Sequence, residues 1–104
     1  MNEMMRLVRK VVSDFTEDIT IPDKYFEMIL YVWRRMNEKE TGWDEIKAAA
    51  VLLCIMYRDG KIHQDQIKAE GNLAMKWAEN YLEDTDVVVF IAQYNRSVSK
   101  PVIS

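Results

Sequence analysis

The 104 residues are 49% hydrophobic and 30% charged, an ordinary globular composition with length for one compact domain. Fourteen Lys and Arg against seventeen Asp and Glu leave a net charge of −3, which argues against a general polyanion binder. A lone Cys and a lone His exclude an intrachain disulfide and a thiolate metal cluster, and three Gly with two Pro are too few for an all-β sandwich.

Residues 2–16 place Met4, Leu7, Val8, Val11, Val12 and Phe15 at three- and four-residue spacings, the stripe of an amphipathic helix. Arg6, Arg9 and Lys10 fall on its other side. Asp14, Glu17 and Asp18 oppose the dipole at a helix C-terminus, so this helix is expected to stop near Thr16. Thr20-Ile21-Pro22-Asp23 then reads as a start signal, with Thr20 as cap and Pro22 in the first turn. The helix it opens turns Tyr25, Phe26, Ile29, Leu30, Trp33 and Met36 inward and Lys24, Glu27, Arg34 and Arg35 outward, ending near Glu38.

Residues 43–58 form the next helix, with Asp44 and Glu45 in its first turn and Arg58 in its last. From Ala48 to Tyr57 it is apolar on every face, so it is expected at the centre of the domain. This ten-residue run is half of what a bilayer span requires, about 20 residues. The N-terminus lacks the uninterrupted apolar core of a secretory signal, so a soluble cytoplasmic protein without membrane contact is expected.

A short helix is predicted over residues 64–70 around Ile67, broken by Gly71-Asn72, and a second over 73–83 with Leu73, Trp77, Tyr81 and Leu82 inward. Residues 86–94 are rich in Val and favour a strand by propensity. Yet Val87, Phe90, Ile91 and Tyr94 share one helical face, Asp86 offers a cap, and a lone strand would have no partner. A helix is therefore expected, within a single domain over residues 1–96 and an irregular tail over 97–104.

Nucleophilic catalysis needs a nucleophile, a base and an orienting group within reach. Cys54 lies mid-way in the apolar run and His63 in a polar turn, so the pair reads as structural. The glycines stand apart at turns and cradle no phosphate, and no Glu-x-x-His pattern offers a metal site. No enzyme activity, cofactor or metal is expected.

The segments 43–60 and 67–81 resemble the cyclin-box repeat of transcription factor B proteins. The likeness rests on the Ile21-Pro22 start, the buried Ala48-Ala49-Ala50 helix ending in Arg58-Asp59-Gly60, and Gln66-Ile67-Lys68-Ala69 with Gly71, Trp77 and Tyr81. It covers residues 20–82 and implies an orthogonal bundle of five to six helices around a central apolar helix, closed by a helix-turn-helix-like pair. It also implies a module of transcription regulation that docks on transcription machinery, with duplex DNA as a candidate partner. The recognition helix would present Asn72, Lys76 and Asn80, beside the phosphate-repelling Glu79, Glu83 and Asp84.

The binding surface on this reading is the basic set Arg6, Arg9, Lys10, Arg34 and Arg35. An alternative is a small acidic inhibitor or adaptor, of the viral or phage host-takeover or anti-defence kind, that occupies a basic surface of a nucleic-acid-binding protein. Its working surface would then be the acidic ends 38–40 and 83–86. The first helix, with Met4-Met5, Leu7-Val8 and Val11-Val12, also has a face broad enough for a homodimer seam.

Overall fold

The computed structural model describes residues 3–40 and 42–99. Its helices are α1 (Glu3–Phe15), α2 (Asp23–Glu38), α3 (Glu45–Arg58), α4 (Ala69–Leu82) and α5 (Thr85–Val98), with a 3₁₀ turn at Gln64–Gln66 and no strand among the described residues. The all-α bundle anticipated from the apolar spacing is the architecture found. Asn2 and residues 100–104, expected at a helix start and in an irregular tail, lie outside the described residues.

Asp44 starts α3 by accepting a hydrogen bond from the Lys47 amide at 3.0 Å. The helix packs against α1, α2 and α4. Ala48 through Cys54 and Met56 are buried and Ile55 is half-buried, so within the apolar run 48–57 only Tyr57 reaches solvent. Val51, Leu52, Leu53 and Met56 each bury a side chain worth about 1.5–3 kcal/mol before the entropy of ordering is charged against it. The three alanines bring the neighbouring backbones close.

α5 lies antiparallel along α2, and the pairings step regularly. Lys39 meets Asp86, Arg35 lies over the Phe90 ring, Tyr31 donates to Gln93 and Tyr94 donates to Glu27. Residues 86–94 are thus helical, as the shared face of Val87, Phe90 and Tyr94 required, and all three are buried. The cap is Asp84 rather than Asp86: its carboxylate accepts from the amides of Asp86 and Val87 at 2.8 and 3.4 Å. The helix continues to Val98, into the stretch expected to be irregular.

Three local expectations are corrected. Thr20 does not cap α2, which starts at Asp23 behind Pro22 with no side-chain cap. The helix expected over residues 64–70 is only the 3₁₀ turn, because Ile67 leaves it to pair with Thr16 in an isolated antiparallel bridge. Two backbone bonds flank that bridge, Glu17 N–H to Gln66 O at 2.9 Å and Lys68 N–H to Phe15 O at 2.8 Å.

Finally, Gly71 does not break the chain: α4 runs from Ala69 straight through it, so no helix-turn-helix forms there. The face that α4 buries is Gly71, Met75, Ala78 and Leu82, which leaves Leu73 outward, 69% exposed, instead of inward.

Candidate functional site

The ends of α2 and α4 and the starts of α3 and α5 gather at one pole of the bundle. The Lys39 ammonium, 2.8 Å from Asp86, joins the α2 end to the α5 start. Trp33 donates from its indole to the Trp43 carbonyl at 2.9 Å, tying α2 to the loop before α3. Trp43 is buried and meets the Tyr81 ring edge-on at 5.6 Å, which brings in the end of α4. Lys47 completes the joint, its ammonium 5.9 Å from the Tyr81 ring centre and bonded to the Gly42 carbonyl.

Seven carboxylates stand at this pole: Glu38, Glu40, Asp44, Glu45, Glu83, Asp84 and Asp86. Lys39, Lys47 and Arg35, which pairs with Glu38, offset three of them, so the pole carries −4 in a chain whose total is −3, and the remainder carries +1. Asp44, Glu45, Asp84 and Asp86 serve helix starts, where the N-terminal dipole favours an anion. Glu38, Glu40 and Glu83 do not. They sit at the C-terminal ends of α2 and α4, where the unpaired carbonyls already carry negative charge. Glu40 is further held at a φ of 56°, the left-handed region that a glycine normally fills after a helix.

The basic set is divided by the fold. Arg6 pairs with Glu3 on its own helix, and the Arg9 guanidinium lies 4.3 Å from the centre of the Phe26 ring. Arg35, expected outward, is half-buried over Phe90 at 5.3 Å and ion-paired with Glu38 at 3.6 Å. Phe26 and Arg35 are nine residues apart on α2, about 13–14 Å along the axis and about half a turn around it. The α1 cations and Arg35 therefore occupy different sides of the molecule. Lys10 and Arg34 stand exposed.

Of the α4 set, Asn72 and Lys76 line a groove of about 440 Å³ with Tyr57, Gln64, Met75 and Glu79. Tyr57 donates to Gln64 at 3.0 Å, and the Gln64 amide reaches Asn72 at 3.5 Å. Asn80 is exposed one turn beyond. Cys54 is buried, and burial pushes its thiol above the usual value, the opposite of what a nucleophile needs. His63 is exposed in its turn. Among the described residues no group of three or more His, Cys, Asp or Glu could hold a metal ion, and no helix is long and apolar enough to cross a membrane.

No protein-family model matches the chain, and comparison with curated proteins and with solved structures returns no match. The chemistry of the surface carries the reading.

Both acidic segments, 38–40 and 83–86, are visible in the sequence, but their meeting is not. Lys39 is the residue that sequence reasoning missed. A single Lys between Glu38 and Glu40 was its only signal, and that pattern equally describes a solvated helix end.

Proposed function

We propose that the protein is a non-enzymatic adaptor or inhibitor that docks its acidic pole on a basic surface of a partner protein. The observation that carries this reading is the placement of Glu40 and Glu83. The helix dipole disfavours a carboxylate at both positions and the left-handed backbone disfavours Glu40 again, while neither has an ion pair among the described residues, so folding does not account for them. Concentrating −4 at one end also steers association with a cationic surface, which raises the encounter rate as salt falls. Duplex DNA fits less well, because the cations that would meet phosphate are divided between two sides and three of the five are engaged in internal contacts.

The test pairs two variants of equal net charge. Glu40→Asn with Glu83→Gln removes two charges from the pole; Glu17→Gln with Asp18→Asn removes two from the α1–α2 loop. Binding of polylysine is read by titration at two salt concentrations. The pole variant is expected to weaken binding roughly tenfold, about 1.4 kcal/mol, and the loop variant to leave it nearly unchanged. Equal losses would reduce the effect to net charge and overturn the reading, as would tight, salt-sensitive binding of duplex DNA.

A second reading keeps the module in transcription regulation as a single cyclin-like repeat docking on transcription machinery. What favours it is the burial of Ala48, Ala49 and Ala50 in the third of five helices, the arrangement that the resemblance implies. The two readings share a protein partner and differ in the face that meets it.

A further inference from the structure

Beside the acidic pole runs a groove lined by four aliphatic side chains, with one basic and one acidic residue at its α3 edge. Ile55, Arg58 and Asp59 at the end of α3 form one wall, and Leu82, Val88 and Ile91 of the α4–α5 corner form the other. It exists because α5 packs along α2 and against the end of α4, leaving its flank towards α3 uncovered. Val88 is 48% exposed although it lies in the first turn of a helix capped by Asp84. The helix carries no charge from Val87 to Asn95, so its open flank is poorly suited to solvent.

The volume, about 240 Å³, is below the usual range for a small-molecule pocket, about 300–1,000 Å³. It suits one or two aliphatic side chains inserted from a larger partner. The charges around it are arranged with a sign. Glu83 and Asp84 follow Leu82 directly and flank the α4–α5 wall. On the α3 wall the Asp59 carboxylate is engaged by the Tyr25 hydroxyl at 2.6 Å. Arg58 makes no ion pair among the described residues.

We infer that this groove receives the apolar face of a basic amphipathic helix on the partner, with its Lys or Arg residues turned to the acidic pole. The inference deepens the proposed docking function and rests on it. The helix lies with its positive N-terminal end towards Glu83 and Asp84 and its negative C-terminal end towards Arg58, so that its dipole matches the groove. Two apolar anchors at i and i+3 or i+4 supply the contact, within the mode by which grooves generally take helices.

The experiment uses two 14-residue peptides of identical Leu and Lys content. One has the 3.6-residue periodicity and the other a shuffled order without it. The full chain is titrated with each, alongside the charge-neutral variants Val88→Ser and Ile91→Ser. The periodic peptide is expected to bind at least tenfold more tightly than the shuffled one, and both variants to erase that difference while leaving salt-sensitive binding intact. Val88 is exposed, so Val88→Ser keeps the test valid should Ile91→Ser perturb folding. Equal binding of the two peptides, or an undiminished preference in Val88→Ser, overturns the groove and leaves the acidic pole standing. Binding of neither peptide overturns both.

Discussion

A methyl group at position 71 would stand 2.7 Å from the Phe15 carbonyl oxygen and 2.8 Å from the Ile67 Cγ2. Both are closer than real Cβ atoms come, and the first is backbone held by its bond to the Lys68 amide. Gly71→Ala is therefore a contest between two effects. Alanine gains about 1 kcal/mol of helix propensity over glycine, while overpacking a fitted contact costs typically about 1–3 kcal/mol. The contact wins, because the obstructing carbonyl cannot turn aside as a side chain can. Denaturant unfolding of Gly71→Ala is expected to show a net loss of about 1–2 kcal/mol; a gain would mean that α1 and α4 can separate at no cost. The same close approach explains why Gly71-Asn72 reads as a helix break. Local propensity was the only signal along the chain, and the reason for the glycine lies 56 residues away in Phe15.

At the scale of elements, two tyrosines register α2 against its neighbours. The Tyr25 hydroxyl donates to Asp59 at the end of α3, and the Tyr94 hydroxyl of α5 donates to Glu27. Burial, reinforced by the hydrogen bond to a carboxylate, pushes Tyr25 up to about 12, and the same causes raise Tyr94. The folded state thus holds the phenolic proton more tightly than the unfolded chain, whose tyrosines lose it near pH 10. The stability this supplies is complete below about pH 10 and is lost as pH climbs towards about 12. Tyr25→Phe is expected to cost about 1 kcal/mol at neutral pH, the usual net worth of one hydrogen bond. The gap between variant and parent should narrow above about pH 10; a gap that stays constant across that window would show that the bond holds no proton. These registers were not legible in the sequence, where the tyrosines read simply as part of the apolar faces. What was legible is α3: a segment apolar all round has no solvent face to offer, so its centrality followed from hydropathy alone. Residues 86–94 were legible for a related reason, since a helical face was available and a lone strand was not.

For the molecule as a whole, the acidic pole sets stability against binding. Glu83 closes α4 against the dipole, and Glu40 adds a left-handed backbone that asparagine adopts more readily than glutamate. Neither is relieved by an ion pair among the described residues. Their repulsion adds to that of five further carboxylates gathered at the same end. A protein selected for stability alone would have lost both charges, because such changes are among the easiest stabilising substitutions. Glu40→Asn with Glu83→Gln is therefore expected to stabilise the fold by about 1 kcal/mol, counting a few tenths to 1 kcal/mol for each charge removed from a helix C-terminus. For a domain of this length that raises the melting temperature by about 4–8 °C. The same double variant is the one expected to bind a cationic partner more weakly, and calorimetric melting and titration on one preparation read both effects. Opposite signs in the two measurements are what a working acidic surface requires. A loss of stability in the double variant would place Glu40 and Glu83 in the service of the fold and remove the argument for docking through this pole.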